Sequence, residues 1–125
     1  MRPIILDASA LVAYLREEPG RDLVEAVLED AIVSSVNWTE VVQNLGPEGV
    51  TNKQLRRALP MIEVIPFLEA HAAVAGELRA STQKRGLSLA DRACLVTAMF
   101  RDGQALTADR AWEGLDLGIE IRLIR

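Results

Sequence analysis

The sequence predicts an α/β domain, built on a mostly parallel five-stranded sheet with helices on both faces. Three observations predict it. Short apolar runs alternate along the chain with longer stretches of helical period. The runs are mostly apolar rather than alternating with polar residues, as strands covered on both faces are. Glycines, prolines and capping patterns separate the segments. The length of 125 residues suits one domain spanning 1–125, and half of the residues are hydrophobic, enough for a sizeable core.

Taken in order, "PIIL" at 3–6 is the first strand and "SALVAYLRE" the first helix, stopped at Pro19-Gly20. "RDLVEAVLE" is a second helix with Leu23, Val24, Val27 and Leu28 on one face. "AIVSS" is the second strand. "NWTEVVQNL" is a helix closed by Gly46-Pro47-Glu48-Gly49. "TNKQLRRAL" opens on a Thr-x-x-Gln capping pattern and ends at Pro60. "IEVIP" is the third strand. One long helix is expected over "LEAHAAVAGELRASTQKR", ended by Gly86. "SLADRACLVTAMFRDG" is the last long helix, with Ser88 as its cap. "QALT" and "IEIRLI" complete the sheet.

Composition narrows the function classes. Cys94 is the single cysteine, so no intramolecular disulfide forms, and His71 is the single histidine, which argues against a His/Cys zinc site. The apolar run after Met1 is too short for a signal peptide or a membrane span, so a cytoplasmic protein without membrane association is expected. A net charge of −4 argues weakly against nucleic-acid binding. Arginine dominates the basic residues, however, and its fork matches phosphate. Acids gathered around a divalent cation would also explain the acidic balance.

The acids are the informative residues. Ligands of open α/β sheets bind beyond the carboxyl ends of the strands. Asp7 follows strand one, and Asp109 follows strand four by two residues. Glu40 and Asp91 are expected in the first turns of the helices beginning at "NWTE" and "SLAD". Each has a plain structural reading as well. Asp7 is a possible helix cap, although Ser9 can fill that role. Glu40 stands three after Asn37 and Asp91 three after Ser88, as in capping boxes, and Asp109 can cap the turn toward Trp112. Asp7 is the hardest to explain structurally, because a carboxylate between "IIL" and "ALVAYL" is part-buried and needs donors or a cation. Four converging carboxylates repel one another, and a hard divalent ion, Mg²⁺ or Mn²⁺, relieves that repulsion. Such clusters drive metal-assisted phosphodiester hydrolysis.

With these residues in view, the chain resembles a PIN domain, and in particular the small VapC-type toxins. The resemblance covers essentially the whole chain and rests on "ILDASALVAYL", "VNWTEVV" and "LSLADRACLVTAMFRDGQALTADRAW" in that order. It implies a metal-dependent endoribonuclease in which Asp7, Glu40, Asp91 and Asp109 are the family's four acids. Ser9 and Thr107 would orient the carboxylates. It also implies a homodimer, an RNA substrate and a cognate antitoxin that covers the active-site groove.

Other features have quieter readings. Lys53, Arg56 and Arg57 form a basic helix face, read first as solvated and second as a phosphate patch. Lys84 and Arg85 complement a helix C-terminus. Trp38 and Trp112 are read as packing ahead of base stacking, and Cys94 as core. A phosphoryl-transfer fold fits poorly. The haloacid-dehalogenase pattern needs Asp-x-Asp where this chain has Asp7-Ala8-Ser9, and a receiver domain needs paired acids near strand one. The remaining alternatives are a PIN nuclease of RNA processing that is not a toxin, and a non-catalytic interaction module.

Overall fold

The computed structural model describes residues 2–125. Five strands, β1 (Ile4–Leu6), β2 (Ala31–Ser34), β3 (Glu63–Ile65), β4 (Gln104–Thr107) and β5 (Glu120–Leu123), form one sheet in the order β3-β2-β1-β4-β5. Every neighbouring pair is parallel. Seven helices connect the strands: α1 (Ala8–Leu15), α2 (Arg21–Glu25), α3 (Ser35–Leu45), α4 (Asn52–Ala58), α5 (Glu69–Glu77), α6 (Arg79–Thr82) and α7 (Leu89–Arg101). Among the described residues no helix is long and apolar enough to cross a membrane.

The period of two along the strands sorts the core into two layers. Leu6, Val33 and Leu106 pack on one face with Leu11, Val24, Val41 and Leu55 of the helices. Ile5, Ile32 and Ala105 face the other way, against Leu95, Ala98 and Trp112. Residues on both faces of β1 are fully buried, which explains why "IIL" carries no polar alternation. Each such side chain contributes roughly 1.5–3 kcal/mol through burial. Trp112 is the largest of the fully buried side chains, as its packing reading predicts.

Local chemistry sets the helix ends. Thr51 and Gln54 close the expected capping box on α4, and Ser88 and Asp91 close one on α7. Three elements differ from expectation. The long helix over 68–85 is divided into α5, α6 and a 3-10 turn at Gln83–Arg85. The hydroxyls of Ser81 and Thr82 donate to the Leu78 carbonyl, at 3.1 and 2.8 Å, where the helix breaks. Such back-bonding bends helices. The second helix ends at Glu25, and Leu28–Asp30 form a 3-10 turn leading into β2. Helix α3 begins at Ser35 rather than beyond Asn37, because Ser34 caps it through Val36 N–H.

Candidate functional site

The strand order locates the site. From β1 the chain builds outward through β2 and β3, then crosses to the other side of β1 to lay down β4 and β5. The carboxyl ends of β1 and β4 therefore flank a topological switch point, where the sheet opens a crevice. Asp7 is the first residue beyond β1, and its N–H donates to Leu106 O of β4 at 3.2 Å. Thr107 ends β4.

Asp7 is 4% exposed. Its Oδ1 accepts from Ala10 N–H at 2.9 Å, so Asp7 itself is the N-cap of α1. Ser9, the expected cap, instead turns its hydroxyl to the Asp7 carboxylate at 2.7 Å and accepts Ala108 N–H at 2.9 Å. The Thr107 hydroxyl donates to Asp7 Oδ2 at 2.5 Å and accepts Asp109 N–H at 3.0 Å. Both expected orienting residues thus touch the carboxylate. Burial raises the Asp7 pKa from 3.8 to about 6, outweighing the hydrogen bonds from Thr107, Ala10 and Ser9; the charge of Asp91 pushes the same way.

The other three acids come from different elements. Glu40 lies in the second turn of α3, not the first. Its Oε1 accepts from Asn37 Nδ2 at 3.1 Å, and the same amide nitrogen donates to Ala90 O at 2.9 Å, tying α3 to the start of α7. Asn37 is fully buried and its Oδ1 has no partner. It is therefore a bridge between two acid-bearing helices rather than the helix cap expected of it. Glu40 is also raised, first by burial, against the Asn37 hydrogen bond, with Asp91 adding repulsion. Asp91 accepts Ser88 N–H at 2.8 Å, and Asp109 accepts Ala111 N–H at 2.9 Å as cap of the 3-10 turn Arg110–Trp112.

All four acids line one open cleft of about 320 Å³. Cys94, one turn beyond Asp91 on α7, is fully buried. Burial raises its pKa well above the usual thiol value, and Asp7, Asp91 and Glu40 each add repulsion. Among the described residues none of the four acids is ion-paired with lysine or arginine. Glu40, Asp91 and Asp109 each have one oxygen bound by a protein donor and one without such a donor. This hard-oxygen donor set suits Mg²⁺ or Mn²⁺. Among the described residues, no three His, Cys, Asp or Glu side chains are arranged to hold an ion as they stand.

Residues 4–116 match the family model described as "PIN domain". The chain belongs to the PIN domain family. Solved structures of similar fold include chains from toxin–antitoxin and VapBC structures. A toxin–antitoxin complex from Klebsiella pneumoniae aligns with TM-score 0.79 at 19% identity, covering 98% of each chain. DNA-bound VapBC from Salmonella typhimurium gives TM-score 0.74 at 18% identity, covering 100% of each. VapBC2 from Rickettsia felis, bound to a DNA fragment from its promoter, gives 0.72 at 16%, covering 96% of this chain and 97% of that one. No curated protein matches the sequence.

Within this PIN domain, sequence reasoning missed the amide bridge of Asn37 and two arginines. The Asn-x-x-Glu spacing on one helix carries the signal for the first. Arg16 and Arg125 also line the cleft, and nothing local in the sequence brings them together. Arg85 does more than complement a helix end: its guanidinium donates to the carbonyls of Ala111 and Glu113, holding the segment after Asp109. Trp38 is half-buried against the core, its indole donating to Asn52 Oδ1 at 2.7 Å, with the Arg56 guanidinium over its ring. His71 is half-buried and accepts Leu68 N–H.

Proposed function

We propose that this PIN domain is a divalent-metal-dependent endoribonuclease and the toxin of a toxin–antitoxin pair. The observation that carries the reading is the meeting, in one cleft, of four carboxylates from four separate segments (the end of β1, α3, the first turn of α7 and the turn after β4), with no basic side chain among the described residues paired to any of them. Asp7, Glu40, Asp91 and Asp109 would hold Mg²⁺ or Mn²⁺. When bound, the ion lowers the pKa of water and offsets charge on the phosphodiester. Ser9 and Thr107 fix the Asp7 carboxylate by hydrogen bonds, and Asn37 fixes Glu40. An antitoxin partner follows from the assemblies in which the similar chains were solved. An RNA substrate, a homodimer and a cytoplasmic setting belong to the same reading through the family resemblance.

The test is cleavage of total cellular RNA by the purified protein in Mn²⁺, beside an EDTA control and Asp91→Asn. Cleavage that needs metal and is lost in the variant is the expected result. Equal cutting by Asp91→Asn, or cutting in EDTA, defeats the proposal. A non-catalytic interaction module is the second reading, favoured by the lack of a closed ligand group among the described residues. It predicts no thermal stabilisation by millimolar Mn²⁺. A PIN nuclease of RNA processing would cut RNA equally well but would have no antitoxin partner.

A further inference from the structure

We propose that Arg16 and Arg125 form a phosphate-binding edge of the acidic cleft and hold the RNA backbone beside the carboxylates; this rests on the nuclease reading. A cleft walled by five acids, Glu18 beside the four carboxylates of the site, repels a polyanion, so a substrate of that class needs cationic groups along its path. Arg16 and Arg125 are the two basic residues lining it.

Their hydrogen bonds leave donors available. Arg16 uses Nη2 alone, reaching Asn44 O at 3.1 Å and Glu48 Oε1 at 3.2 Å. Arg125 uses Nη1 alone, reaching Pro19 O at 3.0 Å and Glu18 Oε1 at 3.4 Å. The Nε–Nη2 side of Arg125, the fork that matches two phosphate oxygens, has no acceptor among the described residues. Each guanidinium is therefore steered by a backbone carbonyl; the partner of Arg16, Glu48, is exposed and holds weakly, and the partner of Arg125, the half-buried Glu18, lines the same cleft.

Position decides which phosphate they meet. Arg16 is the C-cap of α1 and Asp7 its N-cap, so one helix of eight residues separates them. At 1.5 Å per residue that is about 12 Å. Arg16 thus meets a phosphate further along the strand than the one the acids would attack. Arg125 enters from β5, next to Ile124, whose N–H donates to Thr107 O at 2.9 Å.

The experiment measures binding of a short labelled single-stranded RNA in EDTA, by fluorescence anisotropy across a salt series. The Arg16→Ala/Arg125→Ala double variant should bind about tenfold more weakly, and its log K against log salt slope should fall by about 1.4. The Mn²⁺-induced thermal shift should match wild type. Glu18→Gln and Glu48→Gln remove the arginines' ion pairs and should leave RNA binding equal or tighter. A purely structural role for the arginines predicts the opposite, weaker binding in both, and that outcome overturns the proposal. So does a double variant that binds with wild-type affinity and slope, or a wild type that does not bind the RNA. If wild type binds in this arginine-dependent way but cuts nothing in Mn²⁺, the nuclease reading fails while the phosphate edge stands.

Discussion

The Thr107 hydroxyl donates to Asp7 Oδ2 at 2.5 Å while accepting the backbone N–H of Asp109 at 3.0 Å. One oxygen atom thus couples the ends of β1 and β4, two strands joined in register from Ile4 with Gln104 to Leu6 with Leu106. The acid on one strand and the backbone carrying the acid after the other move as a unit. Their relative placement is a property of the sheet rather than of a loop.

Asp7→Asn is expected to separate stability from activity. With the Asp7 pKa raised to about 6, the folded chain binds a proton between about pH 4 and 6 that the unfolded chain does not. Stability of the metal-free protein therefore falls as pH rises through that window, and above it the buried charge stays uncompensated. Asparagine caps helices as well as aspartate does. The variant should melt several degrees higher than wild type at pH 8 in EDTA, on the scale of about 4 °C per kcal/mol. It should not cleave RNA. Melting curves in EDTA at pH 5 and pH 8 check the stability claim, and a lower midpoint for the variant at pH 8 contradicts it.

Metal affinity should depend on pH through the same group. A proton on Asp7 competes with a cation, so Mn²⁺ affinity should fall about tenfold per pH unit below about 6 and level off above it. Titration calorimetry at pH 5, 6 and 7.5 reads this directly. A flat profile would remove Asp7 from the ligand set.

Asn37→Ala is expected to loosen the Glu40 side of the cleft. It deletes both Nδ2 hydrogen bonds and leaves the half-buried Ala90 O without that donor. A stability loss of about 1–3 kcal/mol follows. Outer-shell partners of metal ligands typically cost 10–100-fold in affinity, so Mn²⁺ binding should weaken by about that factor. Chemical denaturation and calorimetry on one preparation report the two effects. An unchanged Mn²⁺ affinity would show that Glu40 needs no such support.

Gly20→Ala tests the seam behind Arg125. Gly20 has φ +96°, and a Cβ there would stand 2.7 Å from Ile124 O and 2.8 Å from its Cγ1. Backbone strain and overlap with a main-chain atom together should cost about 2–4 kcal/mol. A denaturation midpoint within error of wild type would mean that the Ile124 segment shifts freely.

Much of this was legible in the sequence, for physical reasons. The strands stand out because both faces of the sheet are covered, leaving uninterrupted runs such as "IIL" and "AIV". Carboxylates beyond strand ends are conspicuous because nothing about packing asks for them. The capping boxes of α4 and α7 are local and follow from spacing alone. What escaped is non-local or competitive. Asp7 and Ser9 both offer cap chemistry, and only the approach of Thr107 and Ala108 decides that Ser9 serves the carboxylate instead. Asn37 reads as a cap until Ser34 is seen to hold that place. The break between α5 and α6 depends on which rotamers Ser81 and Thr82 adopt, and that is not written in helical periodicity.

The lone thiol carries a practical consequence. Cys94 sits beneath three carboxylates with its ionisation suppressed, so in the closed molecule it is neither reachable nor nucleophilic. An alkylating reagent can modify it only during excursions that part α7 from the sheet. Labelling at low reagent concentration then reports the equilibrium population of the opened acid-lined crevice, without any engineered probe.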